Sequence, residues 1–159
     1  MNPKIVGAGE LGHISRRLRA DGKRLVATNG CFDLLHVGHV RYLQAARNLG
    51  DALAVGVNGD FSVRTLKGEN RPLNQEHDRA EVLAALGCVD FVTIFPDVRA
   101  TAFLEQVQPA VYVKGGDYNS DTLNPEERAV LEKAGAKIRI MPFQAGYSTS
   151  GLIERMHCE

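Results

Sequence analysis

The chain has 159 residues, enough for one domain of ordinary size with a real core. Its 19 Lys+Arg and 19 Asp+Glu cancel, so nothing suggests a polyanion-binding surface, and nucleic acid or an anionic membrane is excluded as the main partner. There is no Trp to serve base stacking and no apolar run of membrane-spanning length or signal-peptide h-region; three scattered cysteines fit reduced thiols in a cytoplasmic protein.

The first stretch, Gly7-Ala8-Gly9-Glu10-Leu11-Gly12, satisfies GxGxxG. A dinucleotide fingerprint needs a strand before its first glycine and an acidic residue ending the next strand. Only Ile5 and Val6 precede Gly7, and the next strand ends at Asn29. The segment is therefore read as a loop leading into a surface helix, His13 to Ala20.

A strand over 24–29 follows, then the turn Gly30-Cys31-Phe32-Asp33-Leu34-Leu35-His36-Val37-Gly38-His39, then a helix to about Leu49 that Gly50 stops. Residues 51–58 are nearly all apolar, as in a parallel strand covered on both faces. Asp60 to Leu66 is helix-prone, and 67–72 is polar and breaker-rich, which predicts a mobile loop carrying Lys67. A helix over 74–86 follows. Beyond it, strands are expected over 89–95, 110–113 and 137–141, and helices over 99–107, 125–134 and 148–157. Pro125 stands in the first turn of its helix.

Strand and helix alternate with short connections and no domain boundary. The fold class is therefore α/β: a single-domain, Rossmann-like, doubly wound parallel sheet of five strands with helices on both faces. Residues 1–159 form one domain, with 1–22 as an N-terminal loop and helix. Ligands of such sheets bind beyond the carboxyl ends of the strands, where strand order reverses. The distinctive residues fall there: 29–39, Asn58-Gly59-Asp60, 114–117 and 146–150.

The turn before the second helix is suited to an anion. The first helical N–H groups lack intrahelical acceptors, the helix dipole adds partial positive charge, and Gly38 lets a phosphate approach the backbone. His36 and His39 lie within one helical turn and admit three readings. Zinc ligation would recruit Cys31, but the spacing matches no usual pattern. A role as general bases lacks a neighbouring nucleophile. Donation to phosphate oxygens suits phosphoryl or nucleotidyl transfer, where catalysis is mostly positioning and electrostatics. A histidine that merely caps the helix is the bland alternative.

His36-Val37-Gly38-His39, following Gly30-Cys31-Phe32-Asp33, resembles the HxGH signature of the cytidylyltransferase-like nucleotidyltransferases. Gly146-Tyr147-Ser148-Thr149-Ser150 is similar to the segment that begins their last helix. Thr28 to Asp33, Asn70 to Asn74 and Val113 to Tyr118 add a likeness to the adenylyltransferase domains of bacterial heptose biosynthesis. The glycerol-3-phosphate cytidylyltransferases carry an arginine in R-x-E-G, where this chain has Pro142-Phe143-Gln144-Ala145-Gly146, and that weakens the cytidylyl reading.

The resemblance implies transfer of AMP from ATP to a sugar 1-phosphate, D-glycero-D-manno-heptose 1-phosphate, giving ADP-heptose and pyrophosphate for lipopolysaccharide or surface glycans. It implies a free-standing form, since the length leaves no room for the sugar kinase to which this domain is fused in many bacteria. His36, His39 and Lys67 are the implied catalytic groups. Gly30, Cys31, Phe32, Asp33, Gly38, Lys114, Gly115, Asp117, Gly146, Ser148 and Thr149 are expected around the nucleotide, with Asn58, Asp60 and Arg79 on the sugar-phosphate side. Mg²⁺ is expected through triphosphate oxygens and water, with no protein ligands. A homodimer is implied by likeness alone. The alternatives are a cytidylyltransferase for an alcohol phosphate and a nucleotide-binding regulatory module without turnover.

Overall fold

The computed structural model describes residues 2–116, 122–142 and 144–158. Five parallel strands form one sheet: β1 (Leu25–Gly30), β2 (Ala52–Asn58), β3 (Phe91–Phe95), β4 (Val111–Gly115) and β5 (Lys137–Met141), in the order β3-β2-β1-β4-β5. The helices are α1 (Ala8–Ala20), α2 (Val37–Arg47), α3 (Asp60–Lys67), α4 (Glu76–Ala84), α5 (Thr101–Val107), α6 (Pro125–Lys133) and α7 (Thr149–His157). The expected doubly wound α/β domain is the observed one.

Period-two alternation within the central strands shows why both faces are covered. Val26, Leu53, Val55 and Val113 pack with Leu43 of α2 and Leu83 of α4 in one core. Leu25, Ala52, Ala54 and Tyr112 pack with Leu11 of α1, Phe103 of α5 and Leu131 of α6 in the other. Successive side chains of a strand leave opposite faces, so one nearly continuous apolar run supplies two cores. Each fully buried leucine contributes about 1.5–3 kcal/mol. The outer strand β5 is half exposed, and Lys137 and Arg139 on it discourage edge pairing. Asn124 caps α6 by accepting from the amides of Glu126 and Glu127, with Pro125 at the first helical position.

The chain departs from expectation at its start. There is no loop over 8–12: α1 begins at Ala8, so Gly9 and Gly12 are helical, and Leu11, Gly12 and Ser15 are buried against the body of the domain. A Cβ on Gly12 would lie 2.6 Å from the carbonyl oxygen of Gln106 in α5. Glycine here permits close helix contact. Arg19 and Ser15 then donate to the carbonyl of Gln108, which ends α5 in the left-handed conformation. Ile5 also bridges Val92 of β3 in parallel, so the N-terminal segment borders the sheet. Lys67 too is placed differently: it is the last residue of α3 and not part of a loop.

These contacts set opposite signs for two like substitutions. Alanine normally gains up to ~1 kcal/mol over glycine in a helix, yet Gly12→Ala is expected to lower the thermal midpoint by several degrees, because overpacking costs about 1–3 kcal/mol. Gly9→Ala, with open space around the new methyl, is expected to leave the midpoint unchanged or raise it. Calorimetric melts of both variants check this; stabilisation by Gly12→Ala would contradict the α1–α5 packing.

Candidate active site

The strand order reverses between β1 and β4, and the ladder there is short. Six residue pairs join β1 to β2, but only Val26–Val111 and Ala27–Tyr112 join β1 to β4. Past Ala27 the two strands part. Tyr42 of α2 spans the gap: its hydroxyl donates to Val113 O at 3.2 Å, so Thr28 Oγ1, 2.7 Å away, donates to it. Burial pushes the Tyr42 phenol up to about 12. Tyr112 closes the same seam by donating to Asn29 Oδ1. Above this seam opens a cleft of about 1080 Å³.

The turn leaving β1 is held under constraint. Phe32 adopts φ 47°, a left-handed conformation uncommon for a bulky residue. Asp33, 4% exposed, fixes the next residue: its carboxylate accepts from Arg71 Nε at 2.6 Å and from the amides of Leu73 and Asn74 at 2.9 Å. Asn74 Nδ2 donates back to Asp33 O at 2.7 Å. Burial alone would raise the Asp33 carboxyl, but the two amides and Arg71 outweigh it and hold the pKa below its ordinary value.

His36 is the N-cap residue of α2 and uses no side-chain cap; His39 lies in its first turn. The bland helix-capping reading of His36 therefore fails. The two imidazoles stack with centroids 3.9 Å apart at 28°, and Phe32 meets His39 edge-on at 5.4 Å. Each Nδ1 is buried with no hydrogen-bond partner among the described residues. Protonating Nδ1 would bury an unsatisfied N–H, so that bonding pattern assigns neutral rings with the proton on Nε2. Burial lowers the His36 pKa, and burial followed by repulsion from His36 brings His39 down to about 4.

A second helix start faces the first. Ser148 is the N-cap of α7 and accepts from Gly151 N at 2.9 Å, while Thr149 Oγ1 donates to Leu34 O at 3.1 Å, tying α7 to the turn after β1. Gly38 also serves packing. A Cβ there would come within 2.9 Å of the His36 ring and of Tyr147 Cβ.

Of the expected site residues, Gly30, Cys31, Phe32, Asp33, His36, Gly38, His39, Asn58, Lys67, Lys114, Gly115, Ser148 and Thr149 line this one cleft. Asp117 lies outside the described residues. Gly146, at φ 88°, turns the chain into α7 without lining the cleft. Asp60 and Arg79 do not line it either. Arg79 is 2% exposed and fully committed, donating to Asn74 O, Cys31 O and Asp60 Oδ1. It braces the turn, loop and helix from behind, and Asp60 neutralises it. Cys31 is raised by burial, which suits an inert thiol.

Sequence reading missed Arg41 and Arg99 on the cleft wall. The signal for Arg41 was present, because Gly38, Arg41 and Ala45 follow one helical face. Arg99 sits just before α5, where no periodicity marks it. Among the described residues, with Lys67, Arg71 and Lys114 they make five lining cations against two lining carboxylates, Asp33 and Glu127. Burial lowers the Lys114 pKa. Asp33 is spent on the turn, and Glu127 accepts from Ala100 N at 2.9 Å. In a chain of zero formal charge the described lining of the cleft carries an excess of positive charge.

Among the described residues no group of three or more His, Cys, Asp or Glu converges to hold a metal ion, and none of the helices is long and apolar enough to cross a membrane. Cys31 does not join His36 and His39 in such a group.

A parallel α/β sheet with two helix N-termini and stacked histidines at its switch point defines a Rossmann-like nucleotidyltransferase class. Residues 27–155 match the Cytidylyltransferase-like family, and the chain belongs to it. It is 50% identical over 153 residues to the bifunctional protein HldE of Geotalea uraniireducens (strain Rf4), covering 96% of this chain and 31% of that protein. The HldE of Geobacter sulfurreducens is 47% identical over the same shares. The chain thus spans about a third of the length of the curated relatives it matches. Among solved structures, a lipopolysaccharide core biosynthesis protein from Thermoplasma volcanium GSS1 is similar at 27% identity and TM-score 0.64, over 77% of this chain and 98% of that one. Pantoate-beta-alanine ligase from Francisella tularensis, at 15% identity and TM-score 0.58, shares the fold alone.

The histidine environment sets a pH dependence of stability for the ligand-free protein. With the His39 pKa depressed to about 4, the unfolded chain binds a proton below about pH 6.5 that the folded chain refuses. Stability is full above that pH and falls as pH drops towards 4. His39→Gln, which cannot take the proton, is expected to flatten this slope in urea denaturation between pH 7 and 4; an unchanged slope would contradict the depressed His39 pKa.

Proposed function

We propose that this domain transfers AMP from ATP to a sugar 1-phosphate, D-glycero-D-manno-heptose 1-phosphate, releasing pyrophosphate and forming ADP-heptose. The observation that carries the chemistry is the pair of stacked His36 and His39 at the α2 N-terminus, opposite Ser148 at the start of α7. The heptose reading rests on the likeness of the motifs and on 50% identity to an HldE across 96% of the chain.

The reaction is direct. An oxygen of the acceptor phosphate attacks the α-phosphorus; the bond from that phosphorus to the bridging oxygen breaks, and its electron pair leaves on pyrophosphate. Charge grows on that oxygen, and the protein answers it with fixed dipoles. Nε2–H of His36 and His39, together with the first amides of α2, act as donors there. Half-buried and stacked on each other, the two rings need little reorganisation when charge appears. Lys67 and Arg99, without hydrogen bond or ion pair among the described residues, are free to draw the acceptor phosphate. Arg79 and Asp60, expected on the sugar side, instead keep the turn and α3 in register. Mg²⁺ brings charge neutralisation with the triphosphate, and no residue of this chain is assigned to it.

A pyrophosphate-release assay with both anomers of heptose 1-phosphate tests the reading. ATP is expected to support release and CTP to fail; release with CTP and glycerol 3-phosphate would favour the cytidylyl alternative, and binding without release from any acceptor the regulatory one. His39→Ala is expected to lower kcat about 100-fold or more while changing ATP affinity far less, since its donor matters most once charge has moved. Lys67→Ala is expected to cut kcat/KM for the sugar phosphate at least tenfold; full activity would remove Lys67 from the site.

A further inference from the structure

The rim of the cleft at α2 carries an arrangement that the reaction as described leaves unused. Arg41 lies three residues beyond Gly38, on the cleft face of α2. Its guanidinium carbon is 5.6 Å from the centroid of the Tyr147 ring, and its Nη1 donates to Gln144 Oε1 at 2.9 Å. Tyr147 in turn lies nearly parallel to His36, with centroids 6.4 Å apart at 23°. Guanidinium, phenol and imidazole form one stack, and the bare Cα of Gly38 is what lets Tyr147 come so close.

The stack has a direction. Gln144 and Tyr147 belong to the connection that leads into Ser148, so they hold Arg41 beside both helix N-termini. Only one guanidinium N–H is engaged with a partner among the described residues, which leaves the rest of a five-donor fork available. The electrostatics call for such a group. Both imidazoles are neutral near pH 7, and helix amides offer partial charges only. Lys67 and Arg99 reach the cleft from α3 and from the start of α5, and Lys114 from β4. On α2 itself the full positive charge facing the cleft is that of Arg41.

We propose that Arg41, oriented by Tyr147 and Gln144, binds the terminal phosphates of the nucleotide and the pyrophosphate that leaves. This deepens the nucleotidyl-transfer reading and rests on it. When the bond to the α-phosphorus breaks, the electron pair stays on the bridging oxygen of pyrophosphate, and the guanidinium fork meets that growing charge bidentately. Tyr147 is then a positioning residue, acting through the face of its ring.

Calorimetric titration of the intact chain with inorganic pyrophosphate, ATP and AMP tests this without reference to turnover. Arg41→Ala is expected to weaken pyrophosphate and ATP about tenfold and to leave AMP unchanged. Arg41→Lys keeps the charge but not the planar fork and is expected to lose part of that affinity. Tyr147→Phe keeps the ring face and is expected to match the wild type, whereas Tyr147→Ala weakens pyrophosphate with an unchanged melting midpoint. Unaltered pyrophosphate binding in Arg41→Ala, an equal loss for AMP, or no pyrophosphate binding by the wild type would each overturn the proposal. Failure of every sugar phosphate to yield product would count against the acceptor reading alone, since these affinities are measured without one.

Discussion

The site exists because β1 and β4 share only two residue pairs before they separate. A parallel sheet whose order reverses at one seam has both neighbouring connections turning away from it, which leaves a crevice at the carboxyl ends. Opening that crevice exposes backbone groups that a continued ladder would have paired. Here the cost is offset by two tyrosines: Tyr42 satisfies Val113 O and takes the Thr28 hydroxyl, and Tyr112 binds Asn29. A buried phenol serves well, since its ring adds to the apolar packing and its hydroxyl joins both strands. Tyr42 also stands on α2, so the residue that wedges the seam fixes the helix that carries the histidines.

A second constraint works from behind. Asp33 and Arg79 are both almost fully buried, and each is surrounded by partners that belong to different segments. Asp33 gathers Arg71, Leu73 and Asn74; Arg79 gathers Cys31, Asn74 and Asp60. Removing one member of such a network leaves a buried charge or donor unsatisfied, which costs more than the pair contributes. The network therefore specifies one arrangement of the turn against the 71–74 segment and α3. Phe32 can persist at φ 47° because its neighbours on both sides are pinned.

Much of this was legible in the sequence. Apolar runs at 24–29 and 51–58, alternating with amphipathic segments, gave the sheet and its two covered faces. The histidines with Gly38, and Ser148 with Thr149, identified the two helix starts that face each other. Other parts were hidden for physical reasons. The resemblance puts Arg79 on the sugar-phosphate side, while its burial depends on three carbonyl and carboxylate partners spread from residue 31 to residue 74. The breaker run that begins beside Lys67 predicts a loop there; α3 extends one residue further and stops at Gly68, whose φ of 103° ends the helix. Arg41 carried a helical signature, yet what makes it notable is contact with Gln144 and Tyr147, about a hundred residues away.

The glycines at the N-terminus and at Gly38 illustrate one rule acting in opposite directions. GxGxxG here lacks the strand and the acidic residue of a dinucleotide fingerprint, and its Gly12 admits the backbone of α5 to within contact of α1. Gly38 suggested phosphate, and its missing Cβ makes room for the His36 ring and for Tyr147. In both places the absent methyl is used for protein packing. The difference lies in what is packed. At Gly12 the neighbour is a structural helix, so the consequence ends with stability. At Gly38 the neighbours are a site imidazole and the aromatic that orients a guanidinium, so the same absence of a methyl shapes the electrostatics of the cleft. A glycine in a motif thus indicates close approach, and only the identity of the approaching atoms decides whether the consequence is folding or chemistry.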